Sequence, residues 1–479
     1  MTGSKKKESQ VSDTNDTLKS EEEIPTWEAK IMTIVVTLNV VGLLPPPKSS
    51  SFIKLIYKTF RVFIHIVYAL TAIAEFTAFV VYWGNLPVVA TTMAAMSGLL
   101  LSMTSSINFL RNRKKFISLI DMLRTEFVAK LKPKYMKLIF KAERDILLFS
   151  LFLYPVGLSI SFTWILAPFL NKNPLYNFKN ENNVTEGSSV ENLIFVMWFP
   201  FEFDKSPQFE IVIALQVFVM TFAVIMVFAL DLVFLSLMRH AAALLRVLRA
   251  MLNDMHENVT ENNLHTTRYV DSLNSDTDVR FQKNGPVSLN YSPFTHSLSG
   301  DTERNSKLLV EMERLENEHL EEDIFRQYLV ECIRYHQAVY AFVDQLNEVV
   351  SAVTFLKLLN FPLVICMTAF QMTQSIDSQQ QLLRFLSMFA GGVSLVTSYT
   401  WFGQQVINES EEVATAFYNI DWYNQTPEFK RLLPLAIMRA SKPAKVEAGV
   451  FFDMSFVTLA AIMNTSYKIF MMLIQLQDA

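Results

Sequence analysis

Phe470-Met471-Met472-Leu473-Ile474-Gln475-Leu476-Gln477 closes an apolar stretch that starts at Phe452, with only Asp478 and Ala479 after it. Wound as a helix rising about 1.5 Å per residue, that stretch is about one bilayer thick. A helix that ends at the far membrane surface carries no tail domain, so its function is expected within the bilayer. Similar apolar runs recur along the chain, and the spans drawn from them are Phe60–Trp83, Val88–Leu110, Ile146–Leu170, Ile211–Leu237, Val350–Gln374, Phe385–Val406 and Met454–Leu476. Gly84-Asn85-Leu86-Pro87 separates the first two and predicts a tight hairpin, because Gly and Pro interrupt a helix there.

Composition agrees: 51% of the 479 residues are hydrophobic, 39 are Phe and only 18% are charged, a profile outside the range of ordinary soluble domains. The expected fold class is an all-α membrane protein with seven transmembrane helices. Orientation follows from Lys and Arg, which stay on the cytoplasmic side. Arg111 to Arg144 holds eleven basic residues, whereas the long loop from Leu170 to Glu210 holds only Lys172, Lys179 and Lys205. The N terminus is therefore expected inside and Ala479 outside, the reverse of a G-protein-coupled receptor. Cys332 and Cys366 fall on one predicted helix, too far apart for a disulfide. Seven Asn-x-Ser/Thr acceptors occur, at Asn15, Asn183, Asn258, Asn290, Asn408, Asn424 and Asn464, and this topology exposes only Asn183 to the lumenal face.

Residues 1–23 are polar, carry charges of both signs and are expected to be a disordered cytoplasmic N terminus, with targeting left to the first span. Residues 24–252 hold spans one to four, preceded by a helical stripe of Trp27, Ile31, Val35, Leu38 and Val41 that stops at Pro45-Pro46-Pro47 and reads as an amphipathic or re-entrant helix. Residues 253–307 shift to Asn, Ser, Thr and Asp and are expected to be a disordered cytoplasmic insert. In residues 308–479, Leu329, Cys332, His336, Val339, Val343, Leu346 and Val350 run at helical spacing straight into the fifth span. Val413, Phe417, Tyr418, Trp422 and Tyr423 form a second stripe before the last span. Such cytoplasmic helices are expected to pack together, within one chain and between chains.

No hydrolase elbow, phosphate loop, His-Glu-x-x-His or paired Cys-x-x-Cys is present. No catalytic group, metal, cofactor or nucleic-acid partner is expected. A transporter would show internal repeats or charged midplane pairs; Glu75 and Asp231 are the main acidic residues in the spans, and no repeat is apparent.

Four stretches resemble the insect odorant receptor family: Val41-Gly42-Leu43-Leu44-Pro45; Arg334-Tyr335-His336-Gln337; Ala416-Phe417-Tyr418-Asn419-Ile420-Asp421-Trp422 with Lys430-Arg431; and Met454-Ser455-Phe456 through Ser466-Tyr467 to Gln475-Leu476. Gustatory receptors share the architecture but end on a different Thr-Tyr and Gln-Phe pattern. The resemblance implies a tetrameric, odorant-gated, nonselective cation channel in the plasma membrane of olfactory neuron dendrites, its pore lined by the seventh span and its cytoplasmic helices forming an anchor. It implies an odorant-binding tuning subunit whose partners are co-receptor subunits, a small volatile odorant, permeant cations and membrane lipid. The alternatives are a gustatory receptor or a self-sufficient homotetrameric chemosensory channel of the same fold.

Carried over by the shared Gln-Leu, the pore constriction falls at Met472, with Gln475 and Leu476 beyond it. Met472 and Leu476 share one helix face, which fits lipid or helix packing as well as closure by dewetting. Lys468 lies one turn away on that face, where four lysines would repel cations and one would be tolerated; the alternative is that it snorkels sideways. The family's ligand site falls on Thr92 and Met96; Gly157, Ile160, Ser161 and Trp164; Val212, Ile213 and Gln216; and Phe385, Met388 and Phe389. Its apolar and aromatic walls suit a small volatile molecule.

Overall fold

The computed structural model describes residues 37–39, 41–45, 50–170, 193–201, 205–260, 302–376 and 378–478. Residues 1–23, most of the Trp27–Val41 stripe, Asn183 and residues 261–301 of the expected insert lie outside them.

The main elements are helices α1 (Ser51–Val81), α2 (Leu86–Arg111), α3 (Arg113–Met122), α4 (Pro133–Leu170), α5 (Gln208–Asn253), α6 (Thr302–Gln374), α7 (Gln379–Tyr418) and α8 (Pro427–Ala440), a two-residue hairpin β1 (Glu447–Ala448) and β2 (Phe452–Asp453), and α9 (Phe456–Asp478). Among the described residues, seven helices are long and apolar enough to cross a membrane, and each overlaps one span expected from sequence. These are α1, α2, α4, α5, α6, α7 and α9. Several run well past the bilayer: α6 has 73 residues, about 110 Å at 1.5 Å each. At the edges of the insert, residues 255–260 are helical and helix resumes at Thr302.

Trp422 and Tyr423 depart from the expected stripe. They fall in the turn after α7 and stay exposed, because Thr426 caps α8 through its hydroxyl and Pro427 fixes the first helical position. Asn258 is fully buried, its amide donating to the Tyr135 hydroxyl at 2.7 Å and the Tyr328 hydroxyl at 2.9 Å, so this acceptor motif serves packing.

The chain divides into two compact units. The first comprises residues 1–110, 143–236 and 371–388. Within it α1 and α2 form the expected hairpin: His65 Nε2 meets Ser106 Oγ at 2.9 Å near one end, and Ala78 packs with Val88 at the other, together with Ala167 and Val196. Gly157 lets α4 approach α5, since a Cβ there would sit 3.0 Å from the Phe228 ring. The outer face of α1 keeps Phe63, Leu70 and Ile73 more than half exposed, as a lipid-facing surface does.

The second unit comprises residues 111–142, 237–370 and 389–479. Its core includes Leu244, Leu245, Leu248, Leu329, Val339 and Leu346, all fully buried. The His336 ring packs against Tyr340 at 4.5 Å and Phe417 at 5.7 Å, so the first stripe and the Val413 and Phe417 part of the second find partners within one chain, while Tyr418 stays exposed.

Candidate functional site

Most of the expected ligand residues lie in the first unit, among them Trp164 on α4. Its ring is 1% exposed and meets Phe385 of α7 edge-on at 6.2 Å. Thr92, Ile160, Ser161, Val212, Ile213 and Phe385 are buried and Met96 and Met388 half-buried. Thr92 donates its hydroxyl back to Val88 O at 2.9 Å and so presents mainly its methyl group and lone pairs.

A residue that sequence reasoning missed completes the cluster. Arg384, 1% exposed, lays its guanidinium over the Trp164 ring at 3.8 Å and reaches Phe385 at 5.4 Å. It donates from Nη2 to Ile194 O at 2.8 Å. The span was drawn from Phe385 because a charge normally ends an apolar run; here the neighbouring backbone carbonyl and two aromatic faces make burial of the charge tolerable.

Gln216 is committed elsewhere. Its Oε1 accepts from Ile194 N at 2.9 Å and its Nε2 donates to Phe195 O at 2.9 Å. Leu193, Ile194, Phe195, Val196 and Met197 are all buried, a non-helical run whose backbone polar groups need internal partners. Gln216 and Arg384 together satisfy three of these groups, and Trp198 N adds a bond to Ala74 O at 3.1 Å. The apolar sequence Leu193–Trp198 inside an otherwise polar loop was the available signal.

In the second unit, α9 is held at its root. Asn347 of α6 donates to Lys445 O at 2.9 Å and accepts from Glu447 N at 3.0 Å. Ser351 exchanges two bonds with Gly449, whose φ of 66° suits glycine at the hairpin turn. Lys445 pairs with Asp453 at 2.6 Å; that hydrogen bond, and then the carboxylate charge, holds the ammonium above its ordinary pKa. Gly403 of α7 lies directly against the Met454 backbone. Beyond this root, Ile462, Ser466 and Leu473 are buried, while Lys468, Met472, Gln475 and Leu476 are exposed. Phe389 lies in this unit, lining a cavity with Cys366 and Met463.

Residues 85–467 match the family described as 7tm Odorant receptor. The chain belongs to that family of insect receptors. Odorant receptor 85b of Drosophila melanogaster is 29% identical over 180 residues, and odorant receptor 63a of the same species is 30% identical over 154 residues. These stretches cover 37% and 31% of this odorant-receptor chain, and 40% and 36% of the two relatives. The olfactory receptor OR5 of Machilis hrabei, solved with eugenol, shares the fold with a TM-score of 0.69 at 14% identity, over 94% of this chain and 98% of that one. The seven-helix arrangement is thus shared with that solved receptor, and the family match makes this odorant-receptor chain a multi-pass membrane receptor, not an enzyme.

Proposed function

We propose that this chain is the odorant-binding subunit of a ligand-gated, nonselective cation channel, a heterotetramer formed with a shared co-receptor. Its N terminus lies in the cytoplasm and its C terminus outside, with Asn183 as the glycan acceptor. The observation that carries the reading is the two-sidedness of α9. Only 22% of its apolar window is buried, the lowest share among the seven spans, and its exposed face holds Lys468, Met472, Gln475 and Leu476. Copies of such a face around one axis form a hydrophobic gate at Met472 and Leu476, with an uncharged amide ring at Gln475.

The odorant site is the Trp164 cluster. A volatile molecule there is held by burial and aromatic contact, with Arg384 beneath the ring fixing its orientation. Eugenol in OR5 supports a small aromatic ligand class by analogy. Gating needs only that the odorant bind the open state better; the population shifts by that difference.

Recording from cells that express this chain with and without a co-receptor, over volatile panels, tests the reading. Odorant-evoked cation currents only in the pair are expected. Robust currents from the chain alone overturn the subunit assignment and the Lys468 argument together.

A further inference from the structure

A cavity of about 190 Å³ lies within the second unit, between the membrane sections of α6, α7 and α9. Ala369, Phe389, Met463, Tyr467 and Phe470 form most of its wall. Its two smallest polar liners have spent their hydrogens: Ser466 donates to Ile462 O at 2.8 Å and the Cys366 thiol to Leu363 O at 3.2 Å. Apart from the Tyr467 hydroxyl, such a wall offers burial and ring contact. An enclosed apolar cavity of about 150 Å³ already takes up benzene in preference to water; this one is partly open, with Tyr467 exposed.

We propose that this cavity is a second ligand site, separate from the Trp164 cluster, for one monocyclic hydrocarbon of about toluene size entering from the membrane. Met463, Ser466, Tyr467 and Phe470 share one face of α9. Met472 lies nine residues beyond Met463, about two and a half turns, hence on the opposite side of the helix. An occupant therefore stands behind the face that carries Lys468, Met472 and Gln475, and it modulates gating by resisting or favouring displacement of α9. This second step rests on the channel reading; the binding step does not.

The test uses the full chain assembled with its co-receptor. Trifluoromethyl-phenyl-diazirine is photoactivated in the membrane and the adducts are mapped by mass spectrometry. Adducts within residues 363–370 and 463–470 are expected, reduced about tenfold by excess toluene and by Ala369→Trp but unchanged by Trp164→Phe. Absence of these adducts, or adducts that toluene fails to displace in the unmutated protein, overturns the site and leaves a lipid tail or a neighbouring subunit as its occupant. In parallel, toluene is expected to shift the half-maximal odorant concentration about threefold in the unmutated receptor and not in Ala369→Trp. Equal responses in both overturn the gating step. If no current can be evoked at all, the channel reading fails while the labelling still decides the site.

Discussion

Gly403→Ala is the substitution that the geometry singles out. The new Cβ would stand 2.9 Å from the Met454 carbonyl carbon and nearer still to the Met454 oxygen and Cβ. Carbon atoms pack comfortably at about 3.5–4.0 Å, so α7 and the root of α9 must separate by about 1 Å. The backbone cannot simply turn aside, because Met454 N donates to Val446 O at 2.8 Å and Asp453 is paired with Lys445. Overpacking of this sort costs about 1–3 kcal/mol. If that cost falls on the described conformation and is relieved in the other gating state, the equilibrium moves by about 5- to 150-fold. The assay is the odorant concentration–response curve of the variant with its co-receptor, beside surface biotinylation. A fivefold or larger shift in half-maximal concentration, or a standing current without odorant, is expected. Wild-type currents at wild-type surface expression would refute the claim that this contact sets the position of the pore helix.

Other perturbations address the remaining steps. Trp164→Phe removes much of the ring area beneath Arg384 while keeping an aromatic wall, and a cation–π loss of about 0.5–2 kcal/mol predicts a two- to thirtyfold change in odorant potency with expression intact; unchanged curves over a broad panel would remove Trp164 from the site. Gln216→Leu leaves Ile194 N–H and Phe195 C=O buried without these partners, about 1–3 kcal/mol apiece, and should lower the thermal stability of the solubilised receptor; an unmoved melting curve would contradict the strap role. Lys468→Gln removes a charge from the exposed face of α9 and should raise single-channel conductance. Identical conductance would place that side chain away from the ion path.

The seven spans were legible because each is a long apolar run, and the hairpin at Gly84–Pro87 because its residues break helices. Helix ends were harder. The sixth span begins earlier than its hydropathy shows because Arg384 is buried against Trp164, a contact set by tertiary packing and invisible to a sliding window. In the loop before α5, Leu193–Met197 is buried and held by Gln216, which the resemblance had placed in the ligand site. Phe389 shows the limit of face assignment: one residue from Met388, it lines a cavity of the second unit. By contrast, spacing alone put Lys468, Met472 and Leu476 on one face of α9, since they are four apart, while the resemblance alone singled that face out as pore-lining.

The central claim is that this face borders the ion path. Single cysteines placed at Met472, Gln475 and Leu476, and separately at Met463, Ser466 and Phe470, can be exposed to a charged thiol reagent with and without odorant. The account predicts block or altered current at the first three positions, faster when odorant is present, and none at the second three. Block confined to the second set, or the same absence of effect at all six in a receptor that still conducts, would contradict it.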